Sequence, residues 1–113
     1  MTADAWMQNG DYMRHQSSLN GRQARIDSDG KFRAVIALDD PGVPNWLDPL
    51  GHSFGYVNMR WYFPQRLVIP TATKLPLKHV RDLLPRDTPV VTAEQRAQQL
   101  RQRAYDGLRR FHY

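Results

Sequence analysis

The side chains best placed to do chemistry are Asp39, Asp40, Asp48 and His52, with Arg60 eight residues further on. Carboxylate oxygens and an imidazole nitrogen are the donors that hard or borderline metals take. Their spacing matches neither a calcium-binding EF-hand loop nor a His-x-x-x-His pair. Asp and Asn also recur in turns because they bond their own backbone, so the run reads first as turn chemistry. No metal and no cofactor is therefore expected. A hydrolytic pair is the other chemistry available, with His52 as general base oriented by Asp48. Ser53 adjoins His52 but sits in no Gly-x-Ser-x-Gly elbow, so no nucleophile is assigned and catalysis stays undecided. Arg60 lies between Asn58 and Tyr62 in a β register. Flanking aromatics there would hold its guanidinium flat against a carboxylate or phosphate.

These groups need elements to position them. Arg22–Asp27 and Lys31–Leu38 alternate around a Ser28-Asp29-Gly30 turn, which predicts a β-hairpin with Phe32, Ala34, Ile36 and Leu38 on one face. A further weak strand is read near Tyr12–Gln16, bracketed by Asn9-Gly10 and Asn20-Gly21. Ser53–Phe63 predicts the longest strand, with Val57, Met59, Trp61 and Phe63 on one side and Phe54, Tyr56, Asn58, Arg60 and Tyr62 on the other. Between them, residues 39–52 hold Pro41, Pro44 and Pro49 and read as a loop whose Trp46 plugs the end of the core.

The chain of 113 residues fits one domain, with residues 1–65 as the sheet and 66–113 as an arm and helix of the same domain. Pro76 opens a short helical turn, in which Leu77, Val80, Leu83 and Leu84 share a face that stops at Pro85. Thr92 and Gln95 form a capping box for a helix to about Arg110. On it Ala97, Leu100, Ala104, Leu108 and Phe111 make an apolar docking stripe, while Arg96, Arg103 and Arg110 recur every seven residues.

Charge divides the chain in the same place. Residues 1–65 carry six basic and seven acidic side chains, whereas 66–113 carry ten and four. The net +5 therefore belongs to the arm and helix, and it is evidence about partners. Cysteine is absent, which removes disulfides and thiolate chemistry. No apolar run is long enough to span a bilayer and no signal peptide is read, so a cytoplasmic location is expected.

Leu19-Asn20-Gly21, Asp29-Gly30-Lys31-Phe32, Asp40-Pro41-Gly42-Val43-Pro44-Asn45-Trp46-Leu47-Asp48, Gly51 and Arg60-Trp61-Tyr62-Phe63-Pro64 occur in that order. This pattern resembles the C-terminal β-domain of an uncharacterised bacterial family, a domain of unknown function often preceded by another. The resemblance covers about residues 19–64 and implies a jelly-roll-like β-sandwich. It maps Asn45, Trp46 and Arg60 onto recurring positions and carries over no catalytic residue. Members usually continue Asn-Trp-Leu with Pro, where this chain has Asp48.

The expected architecture is thus mainly β, a β-sandwich or jelly-roll-like domain with a C-terminal amphipathic helix. The leading functional expectation is an accessory or protein-interaction domain, self-associating or partnering a second domain, with Arg96, Leu100, Arg103, Arg110 and Phe111 facing the partner. One alternative is an acidic-ligand or hydrolytic site formed by Asn45, Trp46, Asp48 and His52 beside Arg60. The other is sequence-independent nucleic-acid binding by the basic helix, which would contact phosphates without reading bases.

Overall fold

The computed structural model describes residues 2–3 and 6–110. Its strands are four pairs of residues: β1 (Thr2–Ala3), β2 (Val35–Ile36), β3 (Trp46–Leu47) and β4 (Tyr56–Val57). A 3-10 turn (Leu77–His79) runs into α1 (Val80–Leu83), and α2 (Ala93–Arg110) closes the described chain. β1 pairs antiparallel with β4, Thr2 opposite Val57, and β2 pairs parallel with β3, Val35 opposite Trp46.

This overturns the expected β-sandwich or jelly roll. The hairpin at 22–38 contracts to a single antiparallel bridge, Ile26 opposite Phe32. The 53–63 strand contracts to β4, and Tyr12–Gln16 forms a turn held by Asp11, whose Oδ1 accepts from the amides of Met13 and Arg14. Alternation sets which face a side chain would take, but a ladder also needs a neighbouring backbone to bond. At the hairpin the Asn45 side chain takes backbone groups of Arg25 and Arg33, and along 58–63 no described strand pairs with the chain.

The hairpin turn itself forms as read. The amide of Asp27 donates to Lys31 O, that of Gly30 to Asp27 O, and Gly30 takes φ +77. Arg33 clamps it, donating to Asp27 Oδ2 at 2.7 Å and to both carboxylate oxygens of Asp29 at 2.9 and 2.7 Å. The Arg33 hydrogen bond holds the Asp29 carboxyl down at about 2 against an ordinary 3.8.

The apolar core is small: Val43, Trp46, Leu47 and Val80 are its buried hydrophobic members among the described residues. Residues 88–91 close one side. Arg81 donates to the carbonyls of Gly42, Thr88 and Pro89, and the Val91 amide donates to Gly42 O. Gly42 permits this approach, since it sits at φ +67 and an added Cβ would lie 3.3 Å from Val91 O.

α2 starts where the capping box places it. The Thr92 amide donates to Gln95 Oε1 at 2.9 Å and the Gln95 amide to Thr92 Oγ1 at 3.2 Å. The helix then docks through an arginine. Arg96 is 4% exposed, and all five of its N–H groups find acceptors. Nε donates to Asp40 Oδ2 at 2.8 Å, Nη1 to Gln16 Oε1 and Gln99 Oε1, and Nη2 to Val43 O at 2.6 Å and Asp40 Oδ1. Its guanidinium lies 5.2 Å from the centroid of the Trp46 ring. Leu100, Arg103 and Gly107 continue that partly covered face, spaced 4, 3 and 4 residues along the helix.

Arg96→Ala should lower stability by about 3 kcal/mol in urea unfolding, because Val43 O and Gln16 Oε1 lose a partner where little water reaches them. Arg96→Lys should recover less than half, since an ammonium cannot reproduce the five-donor fork. The depressed Asp29 carboxyl sets an acid limb. Its contribution is complete above the unfolded value of 3.8 and is lost as pH falls through about 2. Asp29→Asn should flatten that part of the stability–pH curve and leave neutral pH less stable.

Candidate functional site

Asn45 and Trp46, the expected ligand contacts of the loop, are buried and fully engaged in holding the chain together. Asn45 Nδ2 donates to Arg25 O at 2.7 Å and Arg33 O at 2.8 Å, and its Oδ1 accepts from the Arg25 amide at 2.8 Å. One side-chain amide therefore serves three main-chain groups of the two hairpin arms. Trp46 Nε1 donates to Ala37 O at 2.9 Å, beside the β2–β3 pairing. Gln16 completes the centre. Its Nε2 donates to Pro44 O and Trp46 O, its Oε1 accepts from Arg96, and its backbone carbonyl accepts from the Asp48 amide.

The acidic residues of the loop do not converge. Asp40 is bound by Arg96, and its Oδ1 also caps the Gly42 amide. Asp48 Oδ2 lies 2.8 Å from His15 Nδ1, and its Oδ1 accepts from the Leu50 amide. His52 is exposed, with its backbone amide turned to Pro49 O. The imidazole that meets Asp48 is thus His15, 33 residues upstream, and not the near neighbour His52. No group of three or more His, Asp or Glu among the described residues is arranged to hold a metal ion. Arg60 is exposed and stands outside this network.

The helix residues also separate. Arg96 and Arg103 turn toward their own chain, Arg103 donating to the carbonyls of Tyr12 and Ser18 and to Ser18 Oγ. Burial pushes the Arg103 pKa down, with the Arg110 charge as a lesser cause. Arg110 is exposed, Leu100 is half-buried, and Phe111 lies outside the described residues. Arg101, Arg109 and Arg110 remain outward, with Arg109 over the Tyr105 ring. An open groove of about 590 Å³ is lined by six glutamines, from Gln16 and Gln23 to Gln102, together with Arg103 and Asp106.

The largest uncovered feature is an extended segment. Every residue from Gly51 to Lys74 is exposed. It carries Phe54, Tyr56, Val57, Met59, Trp61, Tyr62, Phe63, Leu67, Val68 and Ile69, with Tyr62 84% and Phe63 85% exposed. Tyr62 and Phe63 pack edge-to-face on each other, and Phe63 takes φ 45. Phe63 thus stands in the left-handed region directly before Pro64, a combination that steric crowding disfavours. Alternation at 54–63 is visible in the sequence, but not that this face is left open.

Comparison with protein-family models, with curated proteins and with solved structures found no match. No described helix is long and apolar enough to cross a membrane.

Asn45→Asp should destabilise the protein by about 3 kcal/mol at neutral pH, because a carboxylate cannot donate to the Arg25 and Arg33 carbonyls. Chemical denaturation checks this, and the loss should shrink in acid as the introduced carboxylate protonates and regains one donor.

Proposed function

We propose that the protein is an interaction domain: a small body pinned by Arg96 and Asn45 that presents residues 54–69 to another polypeptide. One observation carries this reading. Ten large apolar side chains follow one another on a segment with no buried residue, where soluble proteins seldom expose a contiguous apolar patch beyond a few hundred Å² unless it binds something. The segment from 51 to 74 also holds Arg60, Arg66 and Lys74 and no acidic residue. A partner with apolar and acidic groups would suit it.

The acidic-ligand alternative has less support. Asn45, Trp46 and Asp40 are occupied in holding the loop, and Asp48 is held by His15. The resemblance on residues 19–64 carries no function of its own, and the β-sandwich it implies does not form. Of its three recurring residues, Asn45 and Trp46 here serve the body, and Arg60 stands on the presented segment.

Phe63→Asp and Ile69→Asp should abolish concentration-dependent association in sedimentation velocity while leaving the helical circular dichroism unchanged. Amide hydrogen exchange tests the reading separately. Residues 54–69 should exchange rapidly in any monomeric fraction. A monomer in which they are protected as strongly as residues 45–47 would make them core and overturn it.

A further inference from the structure

Two side-chain atoms of the body are buried and make no hydrogen bond to the described residues: Arg25 Nε and Thr88 Oγ1. A buried donor or hydroxyl left unpaired costs free energy comparable to a lost hydrogen bond, so each calls for a partner. Their residues stand far apart in sequence, yet both line one small cavity. A third atom of this kind, Ser17 Oγ, belongs to a residue that does not line it. The cavity lies between the hairpin, the 43–45 loop and the 85–88 turn that follows α1. Val35, Val43 and Leu84 are among its apolar lining, and Asp27 is among its polar lining.

We infer that this cavity is the site of one structural water molecule, which accepts a hydrogen bond from Arg25 Nε and bonds Thr88 Oγ1 and the Asp27 carboxylate. Size points to water first: about 10 Å³ remains there, room for a single molecule and no larger guest. Hydrogen-bond chemistry points the same way. The Arg25 Nε–H only donates, an ionised Asp27 only accepts, and the Thr88 hydroxyl does either. A guest that serves all three must be donor and acceptor at once. A halide ion only accepts and an ammonium ion only donates, and Arg25 and Asp27 on the same lining oppose a cation and an anion in turn. Asp27 has acceptor capacity to spare, since Oδ2 takes Arg33 Nη1 at 2.7 Å and a carboxylate offers about four lone-pair positions. Three protein partners are the usual complement of a buried water. Thr88 and Asp27 are only 9% and 8% exposed, so bulk solvent does not serve them freely.

The neighbouring residues show what such a water joins. Ser28 Oγ donates to Asp87 Oδ1 at 3.1 Å on the exposed edge of the same seam. One residue along on each segment, Asp27 and Thr88 line the cavity. The hairpin and the 85–88 turn are thus linked twice, directly at the surface and through water inside. None of these residues lies in 54–69, so the inference stands apart from the interaction reading.

A high-resolution crystal structure of the wild-type chain should show one ordered water within about 3.2 Å of both Arg25 Nε and Thr88 Oγ1. A bromide soak of the same crystals should leave no anomalous peak at that place. In solution, Thr88→Val keeps the side-chain shape and removes the hydroxyl. With water in the cavity, the variant takes away one of its partners, and the unfolding equilibrium constant in urea should rise about fivefold. With a dry cavity, valine removes an unpaired polar group, and the variant should be as stable as wild type or more so. Three results overturn the inference: a wild-type map without the water, a bromide peak in its place, or Thr88→Val at least as stable as wild type. The wild-type map decides the matter even where the variant fails to fold.

Discussion

The guanidinium of Arg96 is the point on which the rest of the structure hangs. It joins four parts of the chain: the Asp40 carboxylate, the Val43 carbonyl, the Gln16 amide and the helix itself through Gln99. Arg103, bonded to Tyr12 and Ser18, is the second polar anchor of α2, and apolar contact adds little. Leu108 and Tyr105 are more than half exposed, and among the described residues the buried apolar core contains none from that helix. A planar fork of five donors is suited to this place because the loop offers carbonyls and carboxylates rather than apolar area. Burying a charge is costly unless its hydrogen bonds are made, and here each one is.

The same use of polar side chains recurs through the rest of the body. Asn45 serves the backbone of both hairpin arms, Gln16 serves the carbonyls on either side of Asn45, and Arg81 closes residues 88–91 on Gly42. Each of these ties main-chain groups together through one side chain at a fixed site. The body is therefore specified at a few buried polar points, and its apolar strips are left over. Residues 54–69 keep their apolar side chains open to solvent and find no ladder of their own beyond β4.

Parts of this arrangement were legible. The capping box at Thr92 and Gln95, the Ser28-Asp29-Gly30 turn and the burial of Trp46 beside Asn45 all stand where the residues placed them. The spacing of Arg96 and Arg103 correctly marked one helix face, but composition placed that face toward a partner when it faces the chain's own loops. Leu100 stands on that inward face, whereas Leu108 of the same predicted stripe stays open. The Asp48–His15 contact carried no signal at all, since 33 residues separate its members and a nearer histidine was available.

What the sequence determined by itself was local: turns and caps whose donors and acceptors lie two to four residues apart, and the period of each apolar run. Tertiary structure decided everything that depends on closing a long loop. It chose which carboxylate meets Arg96 across 56 residues, which imidazole meets Asp48, and which apolar faces stay uncovered. Periodicity records how a side chain would face if its backbone were paired. Whether a partner backbone arrives depends on contacts between distant sites, and no window of neighbouring residues contains them.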